Sequence, residues 1–426
     1  MSQGKISVEE MNARLLEMGE KAKYASYRLA GMSPARKNAC LMAMADAIEA
    51  AAAEIRDANA LDLDAGRKKG LSAAMLDRLT LDDRRIKGMA DGLRYVTTLD
   101  DPVGKTLSDI IRPNGIRIRK VSVPIGVIGI IYESRPNVTV DAAGLCLKAG
   151  NAVILRGGSE AINSNLVLAQ CLNCAGVEAG MPDGAVQLVP WTDRKAVSLL
   201  LKMSAYIDLI IPRGGEGLIR TVVEQSTIPV IKHYKGVCHV FVDNEADRDM
   251  ADRIIINAKC QRPGVCNAIE KVLVHQDIAD EYVPHLVQLL RDNGVEVRGG
   301  PDVCRLVDDI KPATEEDWSA EYLDLILTLK IVGDVNMAIG HINKYGSHHS
   351  DCIVTNNAAA AETFLNGVDS ATVYHNASTR FTDGGEFGMG AEIGISTDKL
   401  HARGPMGLPE LTSYKYLVCG EGQVRS

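Results

Sequence analysis

The sequence lacks the features typical of a nucleic-acid-binding or membrane protein. Its formal net charge of −8 provides no general basic surface for a phosphate backbone. The first ten residues contain no apolar signal core. The alanine-rich run at 42–53 is interrupted by Asp46 and Glu49, so it is predicted to be a soluble helix and not a membrane span. We therefore expect a cytoplasmic protein without nucleic-acid or membrane partners.

A regular cysteine pattern is also missing. The ten cysteines follow no fixed spacing, so reduced thiols are expected in place of a disulfide framework. Cys171 and Cys174 are spaced like a redox or metal pair, but two core cysteines on a helix explain this spacing as well. His348, His349 and Cys352 lack a fourth ligand at a suitable spacing. No metal site is predicted.

The periodicity of the chain predicts an α/β protein with more than one domain. A chain of 426 residues is too long for one ordinary core. Residues 7–95 have helical periodicity, whereas from 122 to 230, and again from about 237, strands alternate with helices. This alternation predicts parallel, doubly wound sheets. Asn114-Gly115, within 108–121, predicts a β-hairpin, which we interpret as a dimer arm.

Two predicted strands are each followed by an Arg-Gly-Gly sequence and a helix. These loops are Arg156-Gly157-Gly158-Ser159 and Arg213-Gly214-Gly215. Glycines after parallel strands let the backbone approach a ligand, and the start of a helix favours anions. The G-x-G-x-x-G pattern is absent after these strands. Tight packing would explain one such loop, but two loops in one sheet favour nucleotide binding.

Cys266 is the strongest candidate for a catalytic residue. Pro263 and Gly264 ahead of it favour a sharp turn, and the β-branched run 269–274 behind it predicts a strand. A cysteine on such a turn can present its sulfur to a cleft, where the thiolate is the nucleophile. The alternative for an isolated cysteine is a buried, inert side chain.

The sequence resembles the aldehyde dehydrogenase superfamily over essentially its whole length. The resemblance is carried by segments 123–139, 148–159, 261–267, 390–396 and 401–405, of which Glu133-Ser-Arg-Pro-Asn137 and the Arg-Pro turn before Cys266 are the most specific. It implies a Rossmann-type NADP-binding domain in 1–107 and 123–232 and an α/β catalytic domain in 233–385. An oligomerisation arm would comprise the hairpin at 108–122 and a C-terminal strand in 400–426.

The resemblance also implies roles for individual residues. Cys266 would be the nucleophile, and the side-chain amide of Asn137 would form an oxyanion hole with the Cys266 N–H. Arg156 and Ser159 suit a ribose 2′-phosphate and therefore favour NADP(H) over NAD(H). The implied cofactor-binding residues are Lys148, Arg156, Gly157, Gly158, Ser159, Gly214, Gly215, Glu386 and Phe387. The candidate ligands for substrate anions are Arg135, Arg262 and Arg403, although a structural salt bridge is an equal alternative for Arg403.

Within the superfamily, the sequence is similar to the members that reduce L-glutamyl 5-phosphate to L-glutamate 5-semialdehyde. Hydrolytic members carry a glutamate in a Glu-Leu-Gly-Gly segment, whereas the corresponding residues 230–236 contain no acidic side chain. The loss of this base fits an enzyme whose thioester exchanges with phosphate and not with water. The resemblance thus implies NADPH-dependent reduction through a Cys266 thioester, the second step of proline biosynthesis. It further implies a homo-oligomer and a separate glutamate 5-kinase.

Three other functions remain open from the sequence. An acylating dehydrogenase that uses a CoA thioester would share the cofactor and the nucleophile. A cysteine hydrolase would need a histidine beside Cys266, and His239, His275 and His348 cannot be placed from sequence. A non-catalytic protein of the same fold would not need both Cys266 and Asn137.

Overall fold

The computed structural model describes residues 6–425, which divide into two units. The first unit contains the chain up to Lys232, together with Met389–Gly394 and the residues from Met406 onward. The second contains His233–Gly388 and Ile395–Pro405. No helix in the described part of the chain is long and apolar enough to cross a membrane.

Most of the described helices begin after a residue whose side chain accepts a backbone N–H of the first turn. Ser33 caps the second helix by accepting the N–H of Arg36, and Pro34 occupies the first turn. The helices are α1 (Val8–Leu29), α2 (Pro34–Ala50), α3 (Ala52–Lys68), α4 (Ala73–Leu79), α5 (Asp83–Thr98), α6 (Asn137–Lys148), α7 (Ile162–Glu178), α8 (Arg194–Leu200), α9 (Glu216–Gln225), α10 (Arg248–Cys260), α11 (Gln276–Asp292), α12 (Pro301–Leu306), α13 (Val335–Tyr345) and α14 (Ala358–Gly367).

The strands are β1 (Thr106–Ile111), β2 (Arg117–Pro124), β3 (Val127–Tyr132), β4 (Ala152–Arg156), β5 (Val186–Leu188), β6 (Leu209–Arg213), β7 (Cys238–Val242), β8 (Ile269–His275), β9 (Glu296–Gly299), β10 (Lys311–Pro312), β11 (Ile326–Val332), β12 (Ser350–Val354), β13 (Thr372–His375), β14 (Gly394–Ser396), β15 (Gly404–Met406) and β16 (Thr412–Cys419). The buried strands β3, β4 and β8 coincide with apolar, β-branched runs of the sequence.

The first unit is built on a four-stranded parallel sheet in the order β5-β4-β3-β6. Strands β3 and β4 are buried throughout, as expected for parallel strands covered on both faces. Because β4, β3 and β6 are neighbours, the loops that follow them meet at the carboxyl edge of this sheet. Both Arg-Gly-Gly loops and the Glu133–Asn137 segment therefore lie at one edge.

A second sheet of the first unit is antiparallel, in the order β1-β2-β16. Strands β1 and β2 form the hairpin predicted from Asn114-Gly115, and Gly115 adopts a φ of +88°, which an L-residue rarely adopts. Strand β16 includes the segment around residues 414–418, where the sequence indicates a C-terminal strand. All six residues of β1 are exposed, which leaves the outer edge of this sheet accessible within the unit.

The second unit contains a seven-stranded parallel sheet in the order β10-β9-β11-β8-β7-β12-β13. Strands β7, β8 and β12 are fully buried and form its core with apolar residues of α10 and α11. Strands β7 and β8 are parallel neighbours. The chain segments that precede these two strands therefore meet at the amino edge of the sheet, where Cys266 lies.

Candidate active site

Cys266 lies on the turn between α10 and β8, as the Pro263-Gly264 pair predicts. The residue is half-buried, while Ala268 and Ile269 behind it are fully buried. The buried strand anchors one end of the turn, and α10 anchors the other. The sulfur is thus carried by a short loop between two fixed elements, which suits a nucleophile better than a place inside a helix or strand.

The backbone of Cys266 is supported from behind by the segment that leads into β7. The Cys238 thiol donates a hydrogen bond to the carbonyl oxygen of Cys266 at 3.3 Å. Gly236 approaches so closely that a Cβ on it would overlap the carbonyl group of Cys266 and lie 2.6 Å from its Cα. Only glycine fits this contact without a backbone shift. Gly236 and Cys238 therefore fix the position of the turn.

Arg380 also belongs to this site, although nothing in the sequence pattern identified it. Its Nε donates to the side-chain oxygen of Gln261 at 2.9 Å, and its Nη1 donates to the side-chain oxygen of Asn267. These two amides lie on either side of Cys266 in the sequence. Arg380 therefore joins both ends of the turn that carries Cys266. The contact was not predictable from local patterns, because Arg380 is more than one hundred residues from the Cys266 turn along the chain.

Asn137 is the first residue of α6, directly after Pro136. Its side-chain Nδ2 donates to Asp141 Oδ2 at 2.9 Å, one helical turn along. This bond restricts the orientation of the amide and leaves its second N–H to other acceptors. Asp141 is a further residue that the sequence analysis did not identify, although its i, i+4 spacing from Asn137 is visible in the sequence.

The segment between β3 and Asn137 connects the two glycine loops of the first unit. The backbone N–H and the hydroxyl of Ser134 both donate to Glu160 Oε1, at 2.6 and 2.7 Å. The N–H of Gly215 donates to Glu133 Oε2 at 3.0 Å. Glu160 follows the Gly157-Gly158-Ser159 loop, whose Ser159 begins a short 3-10 helix. The structure thus brings the two predicted cofactor loops together at one sheet edge.

Both glycine loops pack closely against side chains of the first unit, and the first loop carries a buried arginine. A Cβ on Gly157 would overlap the side-chain amide of Asn165, and a Cβ on Gly214 would overlap the carboxylate of Glu133. Arg156 is 8% exposed, its Nη2 donates to the carbonyl of Thr192 at 3.1 Å, and its buried Nε has no hydrogen-bond partner among the described residues. Burial lowers the pKa of Arg156. A phosphate group would supply the missing acceptor.

Lys148 lies away from this loop, contrary to the prediction. It ends α6, just before β4 begins, whereas the loop follows the other end of β4. Its side chain is 1% exposed, and its Nζ donates to the Asn38 side chain at 2.8 Å and to the Thr97 carbonyl at 3.0 Å. These contacts tie α6 to α2 and α5. The ammonium group thus has a structural role, and a length of strand separates it from the glycine loop.

The predicted anion ligands occupy three different surroundings. Arg135 is exposed in the loop after β3, and Arg262 is exposed on the Cys266 turn. Arg403 donates to the carboxylate of Asp369 at 2.9 Å, and Lys399 contacts the same carboxylate. The structural salt bridge considered as the alternative for Arg403 is therefore present. This arginine already has an anionic partner.

Glu386 and Phe387 form part of an exposed turn in the second unit. The Phe387 N–H donates to the carbonyl of Asp383 at 2.9 Å, and the Phe387 side chain is 40% exposed. Neither residue is held in a fixed core. Their role at the nicotinamide end of a cofactor stays a prediction.

The segment 230–236 has an acidic neighbour that the sequence does not reveal. The Gly236 N–H donates to Glu321 Oε1 at 2.8 Å. One carboxylate thus reaches the segment that supports Cys266, even though the segment itself contains none. Within residues 6–425, no group of three or more histidine, cysteine and acidic side chains could hold a metal ion.

Comparison with known proteins identifies the class to which this fold and site belong. The model of the aldehyde dehydrogenase family matches residues 8–302. The chain belongs to the aldehyde dehydrogenase family, which confirms the α/β fold expected from the resemblance. Membership of this family implies a nicotinamide cofactor.

Several similar proteins carry a more specific name than that of the family. The chain is 57% identical over 407 residues to gamma-glutamyl phosphate reductase from Moorella thermoacetica, covering 96% of this chain and 97% of that protein. The crystal structure of gamma-glutamyl phosphate reductase from Thermotoga maritima has a TM-score of 0.95 and 48% identity, covering 97% of this chain and all of that one. An engineered glycolyl-CoA reductase with bound NADP⁺ shares the fold alone, with a TM-score of 0.65, 16% identity, and coverage of 95% and 96%. The predicted resemblance is confirmed.

Proposed function

We propose that this chain reduces L-glutamyl 5-phosphate to L-glutamate 5-semialdehyde and phosphate with NADPH, as the second step of proline biosynthesis. The observation that carries the proposal is Cys266 on a turn that Gly236 and Cys238 support from behind. The 57% identity to a gamma-glutamyl phosphate reductase supports this choice of substrate.

In the proposed mechanism, the Cys266 thiolate attacks the γ-carbonyl carbon of the acyl phosphate. A carbon–sulfur bond forms, and phosphate leaves with the electron pair of the broken carbon–oxygen bond. The Asn137 amide and the Cys266 N–H are the proposed donors to the oxyanion, each typically worth about 3 kcal/mol of barrier. NADPH, when bound, supplies the hydride that reduces the thioester carbonyl. Cys266 then leaves as thiolate, which releases the semialdehyde.

The finer features of the proposal rest on individual residues. NADP(H) is favoured over NAD(H) because Arg156 carries a buried Nε without a partner among the described residues, beside Ser159. A reducing cytoplasm suits a chain whose ten cysteines are all free thiols. The exposed hairpin strand β1 supports a homo-oligomer. The acyl phosphate would come from a separate glutamate 5-kinase.

The test follows the reaction in the oxidative direction. Purified protein is given glutamate 5-semialdehyde and NADP⁺, with and without inorganic phosphate, and NADPH formation is recorded. We expect strict dependence on phosphate. Turnover without phosphate would indicate a hydrolytic enzyme, with Glu321 as the first candidate base. Turnover only with CoA would indicate an acylating dehydrogenase with another acyl donor.

A pair of variants tests the nucleophile. Cys266→Ala should lower phosphate-dependent turnover at least about 10³-fold while NADP⁺ binding is retained, because the covalent step is lost. Cys260→Ala is a matched control, since Cys260 is another half-buried thiol, at the end of α10. Full activity of Cys266→Ala would contradict the mechanism.

A further inference from the structure

Arg262 and Arg380 both contribute to the turn that carries Cys266. Side chains from both ends of this turn hold Arg380 in place. Arg380 donates to the side chains of Gln261 and Asn267. Its position is fixed further because the Thr379 hydroxyl donates to the Asn267 carbonyl at 2.7 Å. Asn267 is 5% exposed, so the guanidinium is held against a buried partner. Arg262 lies on the same turn.

The hydrogen-bond acceptors of Arg380 at this turn are neutral. Gln261 and Asn267 offer amide oxygens, whereas Arg298 and Arg403 in the same unit bond directly to the carboxylates of aspartate residues. These two bonds use two of the five N–H groups of a guanidinium. The structure thus fixes Arg380 in place without cancelling its charge through a direct ion pair at these contacts.

The positive charges of Arg262 and Arg380 favour the binding of an anion at the Cys266 turn. The pKa of Arg380 is lowered, first by burial and then by the positive charge of Arg262, whereas Cys266 and Asp383 act in the opposite direction. Arg380, which bonds to Gln261 and Asn267, and Arg262, which lies between those two residues in the sequence, thus both bring positive charge to the turn that carries Cys266. A dianion placed between them would relieve the repulsion and satisfy further N–H groups.

We propose that Arg262 and Arg380 form a phosphate subsite beside Cys266, which holds the phosphoryl group of the acyl phosphate. This inference rests on the proposed function and adds Arg380 to its machinery. When the thiolate attacks, the carbon–oxygen bond to the phosphoryl group breaks, and the two guanidinium groups stabilise the departing phosphate. In the oxidative direction they hold inorganic phosphate for its attack on the thioester, and no redox change occurs in either of these steps.

Alkylation of Cys266 tests the subsite without any turnover. Iodoacetate is an anion and iodoacetamide is neutral, but both react with the same thiolate. The ratio of their second-order rate constants therefore cancels the thiolate fraction and reports the attraction of an anion to the sulfur. The label is quantified on the Cys266 peptide by mass spectrometry, since the chain has ten cysteines.

The variants are Arg380→Gln, Arg262→Gln and Arg380→Lys, with Arg248→Gln as the control. Arg248 loses the same charge in the same unit, but it pairs with Glu281 on the surface. We expect each glutamine variant at the turn to lower the iodoacetate-to-iodoacetamide ratio about tenfold, because a nearby positive charge is lost. Arg380→Lys should keep most of the ratio, and Arg248→Gln should keep all of it. Inorganic phosphate should slow iodoacetate in the wild type and much less in Arg380→Gln.

An unchanged ratio in Arg262→Gln and Arg380→Gln, or no protection by phosphate in the wild type, would overturn the subsite. If Arg380→Gln fails to fold, Arg262→Gln and phosphate protection of the wild type decide the question. Phosphate-dependent turnover with an unchanged ratio would refute the subsite and leave the proposed function standing. A phosphate-sensitive ratio without any turnover on the semialdehyde would refute the proposed function instead.

Discussion

Gly236→Ala provides a direct test of how Cys266, the proposed nucleophile, is positioned. The new methyl group would lie 2.6 Å from the Cα and the carbonyl carbon of Cys266, whereas ordinary contacts begin near 3.4 Å. The atoms it meets are backbone, so no flexible side chain can move aside, and the turn must shift by about 1 Å. A displacement of about 1 Å at a reacting group can cost roughly 10²-fold in rate, or about 2.7 kcal/mol of barrier.

The assay is phosphate-dependent NADP⁺ reduction, with kcat and KM measured for each substrate. Gly264→Ala is the matched control, since Gly264 lies on the Cys266 turn and the nearest atom to its added Cβ is the Leu323 carbonyl oxygen, 3.7 Å away. We expect kcat to fall about 100-fold in Gly236→Ala and less than about threefold in Gly264→Ala. KM for NADP⁺ should change little in either variant. The denaturation midpoint should fall in Gly236→Ala, since such an overpacked buried contact typically costs about 1–3 kcal/mol, and should change little in Gly264→Ala. Wild-type kcat in Gly236→Ala would refute the reasoning.

Three further predictions concern other parts of the chain. Asp141→Ala should lower kcat about tenfold, because the Asn137 amide loses its charged acceptor. Asp141→Asn still offers an oxygen and should retain most of kcat. Equal losses in the two variants would contradict a positioning role for Asp141. Ile110→Lys on strand β1 should reduce the mass of any oligomer in analytical ultracentrifugation, and Leu61→Lys, at a similarly exposed position on α3, should not. Burial and then the charge of His233 lower the pKa of His349 to about 3 from 6.5. Below pH 6.5 the unfolded chain therefore binds a proton that the folded chain does not, and this residue's share of stability falls by about 1.4 kcal/mol per pH unit towards pH 3. His349→Asn should flatten the pH dependence of the denaturant midpoint in this window, and an unchanged slope would show that His349 does not contribute to it.

Most of the fold could be predicted because the relevant signals are local. The buried runs of β3, β4, β7 and β12 contain successive apolar residues, and turn-forming residues separate them from amphipathic helices. Asn114-Gly115 specified the hairpin because few residues other than glycine accept its positive φ. The order of the strands in each sheet depends on long-range pairing and was not visible in such local patterns.

The candidate site was predictable only where its residues are neighbours in the sequence. Pro263 and Gly264 indicated a turn at Cys266, and the family resemblance of the surrounding residues singled this cysteine out. The glycine loops were found because they directly follow strands. Arg380 and Glu321 escaped because their partners are distant in the chain. The prediction for Lys148 was wrong because closeness in the sequence does not ensure closeness in space. Lys148 is only eight positions from Arg156, but strand β4 separates the two residues.

The proposed functional residues of the two units lie at different edges of their own sheets. In the first unit, the glycine loops follow β4 and β6 at the carboxyl edge, where ligands of open α/β sheets normally bind. In the second unit, Cys266 precedes β8 at the amino edge, so the same topological rule would have directed attention away from it. In the second unit, the Cys266 turn is instead held by a neighbouring backbone segment. Strand β7 begins beside β8, and this brings Gly236 and Cys238 behind the turn. The amino edge can therefore carry the proposed nucleophile, because a second chain segment, close enough to require glycine, fixes the Cys266 loop.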